Sequence, residues 1–173
     1  MLFVFWTPND YRNGCYNLDC GAFVQTNRGV HIGAPVGRYS VAGGRQAELG
    51  VGYYFHGGNW WLAVGNNWVG YYPGRLYGNG PLSRYAQVVD FGGETAGDGN
   101  WPPMGSGQFA AAGYRHAAYQ RDIVYRDASN GGHDTRLREQ LTSPGCYTDA
   151  HPAAGGSGWR TYFFFGGPGG TDC

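Results

Sequence analysis

Residues 58–74 read GNWWLAVGNNWVGYYPG, and their reading decides the class of fold. Two aromatic-rich runs, Trp60 to Val64 and Trp68 to Tyr72, flank Gly65, Asn66 and Asn67. Glycine and asparagine tolerate positive φ, so the three residues supply turn chemistry and the stretch reads as a β-hairpin. Alternating tryptophans can form a substrate platform, but a single tryptophan in such a strand is more often core, and core is the reading adopted for these.

The rest of the chain agrees with the hairpin. Glycine is very frequent (33 of 173 residues), aromatics reach 17% and charged residues only 14%, which suits short strands joined by tight turns and not a helical bundle. Strands are expected over residues 2–6, 22–26, 30–32, 117–125 and the closing WRTYFFFGG run, with weaker alternation over 45–54. Residues 134–141 (DTRLREQL) are the one segment with the look of a helical turn. The segment AGDGNWPPMGSGQ, 96–108, is turn-forming throughout and reads as an exposed loop. No segment repeats at a fixed period and no linker divides the chain, so one all-β domain, a sandwich or barrel, is expected over residues 1–173.

The stretch YAQVVDFGGET, residues 85–95, carries the most suggestive polar group. With period two, Val89 and Phe91 fall on one face and Asp90, Gly92 and Glu94 on the other. Gly92 and Gly93 remove side chains beside Glu94, so that another backbone can approach the acid. Asp90 is no partner for Glu94 on the same strand, because four residues separate the two by roughly 13 Å. Acid-based hydrolysis needs a second polar group facing the same water. Glu48 and Gln25 are the candidates that the residues themselves offer. A solvated carboxylate at a strand end is the plain alternative for Glu94.

Other chemistries have little support. Twelve arginines balance twelve acids and there is no lysine, so the chain lacks both a basic stripe for nucleic acid and the lysine of a phosphate-binding loop. The five histidines, His31, His56, His116, His133 and His151, show no paired ligand spacing; no metal and no cofactor are expected. Ser106, in MGSGQ, lacks the G-x-S-x-G elbow of a nucleophile and reads as a turn serine. Cys15, Cys20, Cys146 and Cys173 form an even set without zinc-type spacing, which points to disulfides and an extracellular setting; three pairings are open. The opening MLFVFW is too short for a signal core or a membrane span and reads as a strand that begins in mid-sheet, as in a processed product or a fragment.

Taken in order, FWTPNDYRNGCYNLDCGAFVQTN, GNWWLAVGNNWVGYYPGRLY, FGGE, MGSGQF, CYTDA and YFFFGGPGGTDC resemble the neprosin family over nearly the whole chain. That family consists of secreted glutamic peptidases that cut after proline. The resemblance implies an antiparallel β-sandwich of two stacked sheets with a concave face. It also implies disulfides joining Cys15 to Cys20 and Cys146 to Cys173. Two catalytic glutamates are implied as well, with Glu94 matching the second. The first lies upstream of the segment matching LFVFWT in the family, so Glu48 is not its counterpart and the family's opening strands are expected to be absent. Two functions follow: an extracellular endopeptidase domain acting on proline-containing peptides, or a non-catalytic module that assembles into oligomers or fibres through bare sheet edges. Neither nucleic acid nor membrane is expected as a partner.

Overall fold

The computed structural model describes residues 4–8, 11–35 and 37–173. Contacts divide the chain into two compact units, one of Met1–Tyr39 and Ala47–Val89, the other of Ser40–Gln46 and Asp90–Cys173.

The first unit contains β1 (Phe5–Trp6), β2 (Cys15–Tyr16), β3 (Val24–Gln25), β4 (Val51–His56), β5 (Asn59–Val64) and β6 (Asn67–Pro73). β1 and β2 pair with each other, and the remaining four form an antiparallel sheet in the order β3-β6-β5-β4. Two-residue turns set its register. Gly57 and Gly58, both at positive φ, join β4 to β5, and Gly65 at φ +55° opens the turn from β5 to β6. One face supplies the core: Leu62 and Val69 are fully buried, and Tyr72 is 1% exposed. Val4, Ile32, Val64 and Tyr77 join that cluster, with Trp6, Phe23 and Trp60 packed against it. The Tyr72 hydroxyl donates to the Asn17 carbonyl. Burial first, and then the charge of Asp19, pushes its phenol up to about 12, so it stays neutral through the acid range.

The tryptophans of the hairpin divide between its faces. Trp60 packs on the core and donates its indole N–H to the Leu82 carbonyl at 2.6 Å. Trp61 and Trp68 instead gather with Tyr54 and Tyr71, with Trp61 and Tyr71 ring centres 4.5 Å apart. Core is therefore the right reading for one of the three, since adjacent residues on a strand point to opposite faces.

The second unit contains β7 (Ala118–Arg126), β8 (Gly132–Asp134), β9 (Thr148–Asp149), β10 (Ala153–Ala154) and β11 (Thr161–Gly166). Its antiparallel sheet runs β10-β11-β7-β8, with β9 also paired to β11. A bulge interrupts the β7–β11 ladder between Thr161 and Phe163, where Asp122 takes φ +55°. The loop 96–108 is tied to the glycine-rich end of the chain by bridges from Trp101 to Gly170 and from Met104 to Gly167. The described residues contain no α-helix, only three short 3-10 turns, and the fold is all-β with antiparallel sheets. Disulfides join Cys15 to Cys20 and Cys146 to Cys173, as the family resemblance implies.

Several local expectations change. Residues 30–32 and 135–141 form neither strand nor helical turn, and the 45–54 alternation becomes strand only from Val51. Of residues 2–6, Phe5–Trp6 is a strand, while Leu2 and Phe3 lie outside the described residues. The largest correction concerns residues 85–95, which form no strand. Val88 and Val89 are 75% and 56% exposed, so Val89 is not on a core face. Alternation alone is insufficient there: a strand exists only with a neighbour to share its ladder, and the border between the two units falls between Val89 and Asp90.

Candidate functional site

Glu94 follows two glycines in an irregular segment of the second unit, and its side chain is exposed. β7 and β11 hold that segment. In their antiparallel register Gln120 opposes Phe163 and Ala118 opposes Phe165, so these four share one face. The Gln120 side-chain amide donates to the Gly92 carbonyl at 3.0 Å, which fixes the backbone two residues before the acid. Gly93 lies directly on the same face. A Cβ built there falls 2.6 Å from the Met104 sulfur and 2.7 Å from the Phe165 ring, so only glycine fits without displacing them. Gly92 has no such neighbour within 4 Å. The two glycines of FGGE thus do different work: Gly93 permits close packing, and Gly92 presents a carbonyl. The result is a carboxylate in solvent on a backbone that is fixed from below.

The remaining candidates serve elsewhere. Gln25 is a latch within its own unit: its amide nitrogen lies 2.6, 2.9 and 3.0 Å from the carbonyl oxygens of Asn27, Val30 and Val69. That amide is committed to backbone oxygens, which corrects its candidacy as the second catalytic group. Glu48 is exposed in the first unit, ahead of β4, and Asp90 is exposed at the start of the second. Ser106 accepts from the Gln108 backbone N–H at 3.2 Å and donates to the His116 carbonyl, the bonding of a turn serine and not of a nucleophile. Alternation in 118–126 places Gln120 on a strand face, but nothing in the sequence ties it to Gly92; that bond spans 28 residues and shows only in the fold.

The other face of the β7–β11 pair carries a cluster of rings: Tyr119 contacts Phe164 and Trp159, with Tyr114 and Tyr162 beside them. Tyr119 and Phe164 are register partners on the face opposite Gln120 and Phe165. These rings therefore do not form a platform on the side where the FGGE segment lies.

Chemically, an exposed carboxylate on a rigid backbone is suited to accept a proton from water. The described residues contain no group of three or more histidine, cysteine or acidic side chains able to hold a metal, and no helix long and apolar enough to cross a membrane. The two disulfides accord with an oxidising, extracellular setting. The neprosin family model matches residues 1–168 of the 173-residue chain, and the chain belongs to the neprosin family.

Proposed function

We propose that this protein is a secreted glutamic endopeptidase domain that hydrolyses peptide bonds after proline, with Glu94 as a catalytic carboxylate. The observation that carries the reading is the anchored FGGE segment: Gln120 and the Met104–Phe165 surface hold the backbone while Glu94 stays in solvent. Family membership supports the reaction class.

In this mechanism a glutamate carboxylate takes a proton from water as the water oxygen adds to the scissile carbonyl carbon. The tetrahedral oxyanion then collapses, the C–N bond breaks and a second, protonated carboxyl group gives its proton to the departing nitrogen. The family resemblance assigns that second group to a glutamate upstream of the LFVFWT segment. Two carboxyls that share one water favour a single negative charge, so the reaction runs best in acid. The test compares cleavage of a proline-containing reporter peptide at acidic and neutral pH by the protein that carries the upstream glutamate and by the same protein with Glu94→Gln. Cleavage by the wild type in acid, lost in the variant, is expected. Equal rates, or none from either, would remove the enzyme reading.

A second reading rests on β4. It pairs with β5 on one side, and no other described strand pairs with it. Its sequence, VGYYFH, contains no acidic residue, arginine or proline, and Val51, Tyr53 and Phe55 are 53%, 43% and 37% exposed. An uncharged edge of six residues is a template for another strand, which supports self-assembly into oligomers or fibres by edge pairing. Sedimentation at rising concentration tests this reading. Association of the wild type that Tyr53→Lys abolishes is expected, and a strict monomer would exclude it.

A further inference from the structure

We infer that the second unit carries an oxyanion-binding site, separate from Glu94, in the cavity beside the β7–β11 bulge. The cavity is an open cleft of about 540 Å³. Its charged and hydroxyl lining consists of Asp134, Arg136, Arg160, Thr135, Ser157 and Thr161, with Gly155 and Gly156 at its wall. Thr161 lies four residues from Phe165, the ring beneath Gly93, which places the cavity roughly 13 Å along β11 from the FGGE anchor.

Arg160 is held in place by more than its own rotamers. Its backbone takes φ +46°, a conformation that L-residues rarely adopt, and is fixed by the bonds Gly155 N–H to Arg160 C=O at 2.7 Å and Arg160 N–H to Gly156 C=O at 3.3 Å. Its Nε donates to Asp134 at 2.7 Å, and Asp122 lies 4.0 Å from the same nitrogen. Among the described residues its two terminal nitrogens have no partner. Among the described residues neither the Arg136 guanidinium nor the Ser157 hydroxyl has a partner, and both residues are exposed at the mouth of the cavity. A third guanidinium stands nearby, since Arg121 donates to the Gly158 carbonyl and lies 5.6 Å from the Trp159 ring centre.

The charges select the ligand. Two guanidiniums, those of Arg136 and Arg160, and one carboxylate, that of Asp134, line the cavity, and the carboxylate is already bonded to Arg160, so a cation is disfavoured and an anion is not. Guanidinium forks match the planar carboxylate and the oxygen pairs of sulfate or phosphate. Thr135 and Thr161 spend their hydroxyls on the Ile123 and Thr135 carbonyls, at 3.2 and 3.1 Å, which brace the wall and leave Ser157 to donate to the ligand. The shared chemistry is an oxyanion, borne either by a free inorganic ion or by a peptide carboxylate.

The test is titration of the intact chain with sulfate, phosphate, a short peptide ending in a free carboxylate and the same peptide as its amide. It is run at constant ionic strength and read by backbone-amide chemical shifts and calorimetry. Saturable binding at one site, with shifts centred on residues 154–161, is expected. Arg136→Gln should weaken it about tenfold. Arg138→Gln, a charge loss on the same segment outside the cavity lining, should leave it within twofold. Binding of the carboxylate peptide but not its amide identifies a peptide terminus as the source, and binding of sulfate or phosphate alone identifies a free ion. Absence of saturation, or equal weakening by both variants, overturns the proposal. Because the readout is binding, it stands or falls apart from peptidase activity.

Discussion

The two larger sheets of this protein, one in each unit, each cover a face by different means. In the first unit, β5 sits between β4 and β6, and side chains from their own neighbourhood close the face: the largest fully buried side chains described, Tyr72, Leu62 and Val69, are all found there. In the second unit, an irregular segment covers part of the β7–β11 face. Gly92 and Gly93 lie against Gln120, Met104 and Phe165, and the carboxylate follows at once. One face is closed by packing alone; the other by a segment that also carries the candidate chemistry. Packing of the first kind tolerates no loss of volume, and packing of the second kind tolerates no gain.

Opposite substitutions sharpen the contrast. Leu62→Ala removes a fully buried side chain, and a loss of about 3 kcal/mol is expected from lost transfer energy and the cavity left behind. Chemical denaturation measures it, and a loss under 1 kcal/mol would mean that the first face collapses freely. Gly93→Val adds volume where a Cβ already meets Met104 and Phe165, and about 2 kcal/mol of overpacking is expected. Met104→Ala in the same chain should restore part of it. Gly92→Ala, with no neighbour within 4 Å, should fall within about 0.5 kcal/mol of wild type. If the two glycines respond alike, the segment is not seated on that face.

The same contrast explains what the sequence made legible. The β5–β6 hairpin was readable because two signals coincide, an aromatic strand pattern on each side and Gly65–Asn66 between them, and both act within a few residues. Both disulfide pairings were implied by the family motifs, β7 was readable as a strand, and β11 as an apolar run. Residues 85–95 have the pattern without the partner. Alternation reports which side chains prefer burial, but it does not report whether a neighbouring strand is present, and here the ladder is missing and Val88 is in solvent. Glu94 was legible as a candidate through its glycines. The amide of Gln120 was not, because its tie to Gly92 depends on how a distant strand is placed. Gln25 failed for the converse reason: a polar side chain beside a turn is more often claimed by local carbonyls than aimed at a substrate.

Gln120 offers a finer test of the second face. Gln120→Ala removes the donor to the Gly92 carbonyl at a half-buried position, with an expected loss of about 1 kcal/mol. If the bond positions Glu94, kcat for the reporter peptide falls by more than stability does, while KM changes little. Gln120→Met, which keeps length but not the donor, should behave like alanine. A purely structural role would lower stability and leave kcat alone.

The smallest effect lies at the β7–β8 turn. The Asp127 carboxylate accepts from the Ser129 hydroxyl at 2.7 Å and from the Ser129 and Gly131 backbone N–H groups at 2.9 Å, and it pairs with the His133 ring at 2.7 Å. The Ser129 hydroxyl, then His133, then the Gly131 N–H hold its pKa well below the usual carboxylate range. A carboxyl lowered in this way contributes stability above its unfolded value, near 3.8, and loses that contribution as pH falls through the lower folded value. The turn should therefore stay ordered in mild acid and loosen only in stronger acid. Amide exchange of residues 127–133 across that range checks the sign. Asp127→Asn should flatten the pH dependence while leaving global stability almost unchanged, because the group is in solvent and its ion pair is screened. A pH dependence that Asp127→Asn leaves unchanged would show that the carboxylate does not govern the turn.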